Sequence, residues 1–259
     1  MARKRFKLLA CRVLHREISL LSAKSDNYID VTYLQQGLHR APEVLRKVLQ
    51  DEINRIEDGT DIYSGFSYNV HGGKSRENME YDAILLGYGL CSNAVCGITS
   101  NNYKIIIPRA HDCITLFLGS KERYRNYFDS HSGGIFWYTP GWIDCCQMPG
   151  EETNEIKRKR YMEQYDDEEL VEEVLEQENA WMKSYKMFTY VDWDELHMPN
   201  HIAYTEKCAN YFNVGFELLK GDMGLMQKFL EGDWNDEDFI VLKPGQAVSP
   251  SYDESILTV

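Results

Sequence analysis

Short apolar runs alternate with segments of helical periodicity through the first half of this 259-residue chain. A run of roughly four to eight apolar residues is typical of a buried strand, and strands that alternate with helices are typical of an open α/β sheet. Five such runs are the predicted strands, at Phe6–Leu14, Tyr28–Leu34, Tyr81–Gly89, Tyr103–Pro108 and Gly134–Pro140. We therefore expect an open, mostly parallel, Rossmann-like sheet.

The strongest helical pattern lies between the second and third strands. Its apolar residues recur every three or four positions, at Val44, Leu45, Val48, Leu49, Ile53 and Ile56. Pro42 suits the first turn of this helix and Gly59 its end. Residues 61–80 carry Ser, Asn, Gly and charge without periodicity, which predicts a surface loop or a short hairpin.

The chain divides into three regions that differ in composition and in the pattern of apolar residues. Residues 1–145 form the predicted Rossmann-like α/β domain, and residues 146–184 are a charged segment whose narrow apolar stripe predicts solvated helices. Residues 185–259 repeat the α/β pattern. This last portion either extends the first sheet or forms a second, smaller lobe, and the sequence leaves both alternatives open.

The formal net charge of −13 disfavours a nucleic-acid partner, because binding to a phosphate backbone depends on clustered Lys and Arg. No run reaches the roughly 18 apolar residues of a spanning helix, so no membrane insertion is expected. The basic start at Met1 precedes only three apolar residues, Leu8 to Ala10, too few for a secretory signal. We expect a soluble cytoplasmic protein with seven reduced cysteines, whose oligomeric state the sequence does not give.

Thiols and imidazoles follow the predicted strands at their carboxyl ends, where ligands gather in parallel α/β sheets. The candidate metal ligands are Cys11 in strand one, His39 after strand two, Cys91 after strand three, and His111 and Cys113 after strand four. A His with two or three Cys suits zinc or ferrous iron, and three or four Cys suit an iron–sulfur cluster. Zinc is the expected metal. Three further cysteines, Cys96, Cys145 and Cys146, are left undecided.

Other residues near this predicted site have candidate roles. Arg109 and Asp112 are the candidate catalytic residues; Arg109 can pair with a substrate carboxylate or phosphate, or it can form a structural salt bridge. The segment "GYGLCSNAVCG" matches neither a dinucleotide fingerprint nor a phosphate loop. Its glycines Gly87 and Gly89 are the candidate cofactor-binding positions, because they let the backbone turn closely around a ligand.

The sequence resembles the domain-of-unknown-function family 1638 of bacteria and methanogenic archaea. The resemblance rests on "GLHRAPEVL", "ILLGYGLCSNAVCGI", "IPRAHDCITLFLGSKERY" and "YTPGW", with a fainter match in "FLEGDWNDEDFIVLKPG". It covers most of the chain but implies no established activity. Members of this family often accompany corrinoid-dependent methyltransferases, so the resemblance implies a context in one-carbon metabolism. Ser92 stands where family members often have Gly.

These observations lead to three hypotheses. The first is a metal-binding enzyme or accessory factor in corrinoid-linked methyl transfer, with a zinc-dependent methyltransferase as the enzymatic form. Its partners would be a small-molecule substrate or a corrinoid methyltransferase system. The second is a carrier or assembly protein for an iron–sulfur cluster or a corrinoid. The third is a metal-free interaction protein.

Overall fold

The computed structural model describes residues 3–59 and 80–259. They belong to two compact units: unit 1 is Met1–Lys121 with Met223–Val259, and unit 2 is Glu122–Asp222. In chain order the helices and strands are β1 (Arg5–Cys11), α1 (His15–Lys24), β2 (Tyr28–Leu34), α2 (Pro42–Glu57), β3 (Ala83–Gly87), β4 (Ile105–Pro108), α3 (Cys113–Leu118), α4 (Lys121–Ser130), β5 (Ile135–Tyr138), α5 (Pro140–Cys145), α6 (Glu151–Tyr165), α7 (Glu168–Asn179), β6 (Met187–Asp192), α8 (Pro199–Phe212), β7 (Gly215–Lys220), α9 (Gly224–Glu231), β8 (Phe239–Leu242), β9 (Ser249–Pro250) and β10 (Leu257–Thr258).

Unit 1 contains a five-stranded open sheet in the order β2-β1-β3-β4-β8. The first four strands are parallel, and β8 pairs with β4 in the antiparallel direction. The prediction of an open, mostly parallel α/β sheet is confirmed. The chain moves from β1 to one side to form β2 and then to the other side to form β3, so its direction reverses between β1 and β3.

Helix α2 covers one face of this sheet, as its sequence period predicts. Four of its apolar side chains, Leu45, Leu49, Ile53 and Ile56, are buried in one core with strand residues such as Leu9 and Leu86. On the opposite face, Phe6 packs against Trp234 with their ring centroids 5.2 Å apart. The sheet is therefore buried on both sides, which explains its nearly continuous apolar strands.

Unit 2 contains a three-stranded parallel sheet in the order β5-β6-β7. The predicted strand at residues 134–140 belongs to this sheet, so its assignment to the first sheet was wrong. The later strands either extend the first sheet or belong to a second lobe, and both cases occur. β6 and β7 lie in the second sheet, while β8 joins the first. Strand pairing depends on contacts far apart in sequence, which local apolar patterns do not encode.

The charged segment forms α6 and α7, which pack through a narrow apolar stripe. Val171 and Leu175 of α7 are buried with Tyr161 of α6, and Arg158 forms an ion pair with Glu172 at 2.6 Å. None of the helices in residues 3–59 and 80–259 is long and apolar enough to cross a membrane. The loop or hairpin predicted for residues 61–80 lies, except for Glu80, outside the described residues.

A buried ion pair joins β1 to β2 in unit 1. The Lys7 ammonium lies 3.2 Å from the Asp30 carboxylate, and the two side chains are 1% and 9% exposed. The Tyr81 hydroxyl also donates to this carboxylate. Burying an ion is costly unless its partner stays in place, so the two residues depend on each other.

Asp30→Asn should destabilise unit 1 strongly, because it removes the negative charge beside a buried ammonium. We expect the free energy of unfolding to fall by about 3–5 kcal/mol in urea denaturation followed by circular dichroism. The double variant Lys7→Met/Asp30→Asn should lose less than Asp30→Asn alone, since it contains no buried charge at this position. A loss below about 1 kcal/mol for Asp30→Asn would contradict the mutual dependence.

Candidate functional site

The reversal of strand order in unit 1 defines the candidate site. Where neighbouring parallel strands continue in opposite directions, the loops that follow them diverge and leave a crevice at their carboxyl ends. Here these strands are β1 and β3, which end at Cys11 and Gly87. Tyr88 and Cys11 contact the same core beneath α2, and Cys91 packs against it as well. Two predicted ligands, Cys11 and Cys91, are therefore placed at the crevice.

The loop after β3 lies directly against the loop after β4. The Leu90 amide donates to the Ala110 carbonyl at 2.7 Å, and the Cys91 amide donates to the His111 carbonyl at 3.0 Å. A Cβ atom at Gly89 would lie 2.7 Å from the Ala110 oxygen and 2.8 Å from the Asp112 nitrogen. Glycine at position 89 is thus required for the approach of the two loops. That approach brings Cys91 beside Asp112.

Cys91 begins a left-handed turn of three non-glycine residues. Cys91, Ser92 and Asn93 have φ angles of 46°, 58° and 66°. Such residues cost of order 1–3 kcal/mol each and persist where the surrounding structure fixes them. Arg46 of α2 helps to do so by donating to the Asn93 carbonyl at 2.8 Å. The strained turn thus begins at Cys91, one of the candidate ligands.

Tyr88 presents a buried hydroxyl without a hydrogen-bond partner among the described residues. The residue is 3% exposed. Its pKa is raised far above the ordinary value, first by burial and then by the nearby thiols of Cys11, Cys91 and Cys113. The three predicted thiol ligands thus lie close enough to this phenol to influence its pKa. The sequence analysis missed the phenol because it resembled a core residue.

Two ionisable side chains of this site, Cys91 and His39, favour their neutral forms. Burial, reinforced by Asp112 and Cys11, raises the pKa of the Cys91 thiol to about 12. Burial also lowers the pKa of His39, with Arg40 acting in the same direction and Asp112 opposing. His39 is therefore near Asp112 and holds a neutral imidazole at pH 7. Thiols and a neutral imidazole are donors suited to soft or borderline metal ions.

Asp112 and Cys113 are placed by the start of α3. The Asp112 carboxylate accepts a hydrogen bond from the Ile114 amide at 2.9 Å and so caps this helix. Cys113 is the first helical residue and is half-buried. Asp112 consequently stabilises the start of α3, and it also influences the pKa values of Cys91 and His39.

Arg109 points its guanidinium to backbone carbonyls of the C-terminal segment. Its Nε donates to Asp236 at 2.8 Å, and its Nη1 donates to Ser255 at 2.9 Å and also to Leu257. Burial lowers the pKa of Arg109. These contacts give Arg109 a role in attaching the chain end to β4. They engage two of the three guanidinium nitrogens, Nε and Nη1, in structural hydrogen bonds.

The other candidate residues have packing roles or different positions along the chain. A Cβ atom at Gly87 would lie 2.8 Å from the Ala10 Cβ, so this glycine allows close packing of β1 and β3. The exposed His111 ring makes no hydrogen bond to any residue that the structure describes. Cys96 lies in the same turn as Cys91. Cys145 and Cys146 belong to unit 2.

The thiol and imidazole groups of this site are chemically suited to a thiophilic metal ion. Their present positions, however, do not form a complete set of ligands. Within residues 3–59 and 80–259, no three His, Cys, Asp or Glu side chains are already grouped as metal ligands. Each cysteine Sγ can be redirected by rotation about one side-chain bond. The candidate site is thus a set of half-buried thiols around an unpartnered hydroxyl.

One comparison with known proteins gave a match. The family model described as "Protein of unknown function (DUF1638)" matches residues 33–230. That span runs from the end of β2 into α9 and includes every residue of the candidate site except Cys11. No curated protein and no solved structure matches the chain.

Gly89→Ala should loosen the junction of the two loops, because the new Cβ would overlap backbone atoms. Overpacking of this kind costs about 1–3 kcal/mol. We expect the amides of Leu90 and Cys91 to exchange with deuterium at least fivefold faster. Gly134→Ala is the control, since its Cβ would have no neighbour closer than 3.4 Å. Unchanged exchange in Gly89→Ala would contradict the tight approach.

Cys91 should react slowly with iodoacetamide in the metal-free protein. A pKa of about 12 leaves far less thiolate at pH 8 than an ordinary cysteine has, and the greater nucleophilicity of a basic thiolate compensates only in part. We expect a rate about a hundredfold below that of N-acetylcysteine, measured by peptide mass spectrometry. The same residue in urea-unfolded chain is the control and should react at the ordinary rate.

Proposed function

Since this chain belongs to the DUF1638 family, which has no assigned activity, we propose from its own geometry that Cys11, Cys91 and Cys113 hold a thiophilic metal ion, with zinc as the leading candidate. The observation that carries this proposal is the buried Tyr88 hydroxyl, which has no hydrogen-bond partner among the described residues and lies close enough to these three thiols for them to raise its pKa. The placement of Cys11 and Cys91 at the reversal of strand order supports it independently.

The Tyr88 hydroxyl supports a metal-bound state because it needs an acceptor. A buried hydroxyl without a hydrogen bond costs about 1–3 kcal/mol. Neutral thiols are weak acceptors, whereas a metal-bound thiolate carries negative charge and accepts well. Tyr88 would then donate to one of the thiolates and fix its orientation, as outer hydrogen bonds commonly do at metal sites.

The pKa of the Cys91 thiol supports the same proposal. Burial holds Cys91 in its neutral form, with a pKa of about 12, so solvent alone does not produce its thiolate at pH 7. A bound cation supplies the compensating charge, and binding would release the proton. His39, kept neutral by burial, is available as a further donor or as a partner of Asp112.

We further assign the site to corrinoid-linked methyl transfer, as an enzyme or an accessory factor. The support for this assignment is the family resemblance. Zinc, when bound, would keep an acceptor thiol deprotonated near neutral pH and so make it a nucleophile for a methyl group. The chain's own part would be to hold the three thiols, to donate a hydrogen bond from Tyr88, and to limit water through the core beneath α2.

The test is metal analysis of protein purified without chelator or an affinity-column metal. We expect near one equivalent of zinc and no visible absorbance. Cys91→Ser and Cys113→Ser should each lower zinc affinity at least tenfold, measured by competition with a chromogenic chelator. Tyr88→Phe should lower it by about 10–100-fold, the usual effect of removing an outer hydrogen bond.

Cys208→Ala is the matched control, because Cys208 is a buried thiol in unit 2 and lies among the Tyr138 and Tyr204 hydroxyls. Its zinc affinity should equal that of the wild type. Full zinc retention in both Cys91→Ser and Cys113→Ser would refute the proposal. Iron with sulfide absorbance, or cobalt with a corrinoid spectrum, would instead favour cofactor carriage.

A further inference from the structure

Unit 2 has polar residues of a different kind at the carboxyl end of its central strand. β6 lies between β5 and β7, all three strands are parallel, and β6 ends at Asp192. A short helical turn, residues 194–196, leads from there to His197, just before α8 begins at Pro199. The carboxyl end of a parallel sheet is the usual position of ligand-binding residues.

Asp192 and His197 form a close pair in which only the imidazole is well exposed. The His197 Nδ1 lies 2.6 Å from the Asp192 Oδ2, and the side chains are 52% and 11% exposed respectively. An ionised carboxylate only accepts hydrogen bonds, so Nδ1 must be the protonated nitrogen of a neutral ring. Nε2 is then unprotonated and carries a free lone pair.

The second oxygen of Asp192 is unusual. Its Oδ1 is buried and has no hydrogen-bond partner among the described residues. A simple structural ion pair would use both oxygens or expose one to water, since a buried acceptor without a donor is costly. The neighbouring carboxylate of Asp194 is occupied differently, because it pairs with Lys220 at 2.5 Å.

We propose that Asp192 and His197 form a proton-accepting dyad, a second chemical site of this chain. Its substrate would present an O–H group, either the hydroxyl of a small molecule or a water molecule. The O–H bond breaks, its proton goes to the lone pair of His197 Nε2, and the oxygen keeps the electron pair. Asp192 is the positioning residue: it fixes the tautomer and stabilises the imidazolium, which later returns the proton.

Unit 2 provides an internal comparison. His201, in the first turn of α8, uses Nε2 to contact the Asp144 Oδ1 at 3.1 Å. Its side chain is 16% exposed, against 52% for His197. His201 therefore has the same chemical groups but less access to solvent and the opposite nitrogen engaged. The dyad proposal applies to His197 and not to His201.

The first experiment is acylation of the full chain with diethyl pyrocarbonate, followed residue by residue with mass spectrometry. This reagent acylates an imidazole nitrogen that has a free lone pair. We expect His197 to react at least tenfold faster than His201 and also faster than the exposed His111. Asp192→Asn should slow His197 at least tenfold, because it removes the group that selects the reactive tautomer, while His111 keeps its rate.

Asp144→Asn is the matched control and should leave the rate of His197 unchanged. Equal rates for His197 and His111, with no effect of Asp192→Asn, would overturn the proposal. If Asp192→Asn does not fold, nitrogen NMR of wild-type protein with labelled histidine decides the question. A His197 signal with protonated Nδ1 and unprotonated Nε2 supports the dyad, and a protonated Nε2 in the neutral ring overturns it.

Discussion

The central position of β1 in the first sheet determines where unit 1 can do chemistry. Connections between parallel strands are almost always right-handed, so a chain that leaves β1 for β2 and then crosses to β3 places its helices on opposite faces. The loops after β1 and β3 consequently separate. Cys11 and Tyr88 are at this separation, and Gly89 brings the loop of Asp112 against it. The cluster of thiols is thus a consequence of strand order.

Two buried polar groups on this sheet differ in whether they have a hydrogen-bond partner. Near the amino-terminal half of β1, the Asp30 carboxylate pairs with the Lys7 ammonium and accepts a hydrogen bond from the Tyr81 hydroxyl. At the carboxyl end, the buried hydroxyl of Tyr88 has no hydrogen-bond partner among the described residues. A ligand at this second position, as proposed above, would supply the missing partner.

The sequence predicted local structure better than it predicted the pairing of strands. The bounds of β2 and the apolar face of α2 followed from periodicity alone. β5 pairs with β6 across about 50 residues of chain, and β8 returns to β4 across more than 130. A short apolar run says nothing about contacts at such distances. Cys11, Cys91 and Cys113 were named as candidate ligands because strand ends can be recognised in the sequence, and their role as ligands stays a prediction. Tyr88 was missed because a buried phenol and a core aromatic look alike, and the carbonyl contacts of Arg109 lie too far along the chain to be anticipated.

The pKa values of unit 1 also limit how its thiols can be activated. In a thiolate–imidazolium pair, Cys91 would have to give its proton to His39. The Cys91 pKa is about 12, and that of His39 is below its ordinary value of 6.5. A gap of more than about 5 units corresponds to more than about 7 kcal/mol against the transfer, so His39 is not a sufficient base for this thiol. Under the proposed function, a metal ion bound at the sulfur would supply the positive charge that stabilises the Cys91 thiolate.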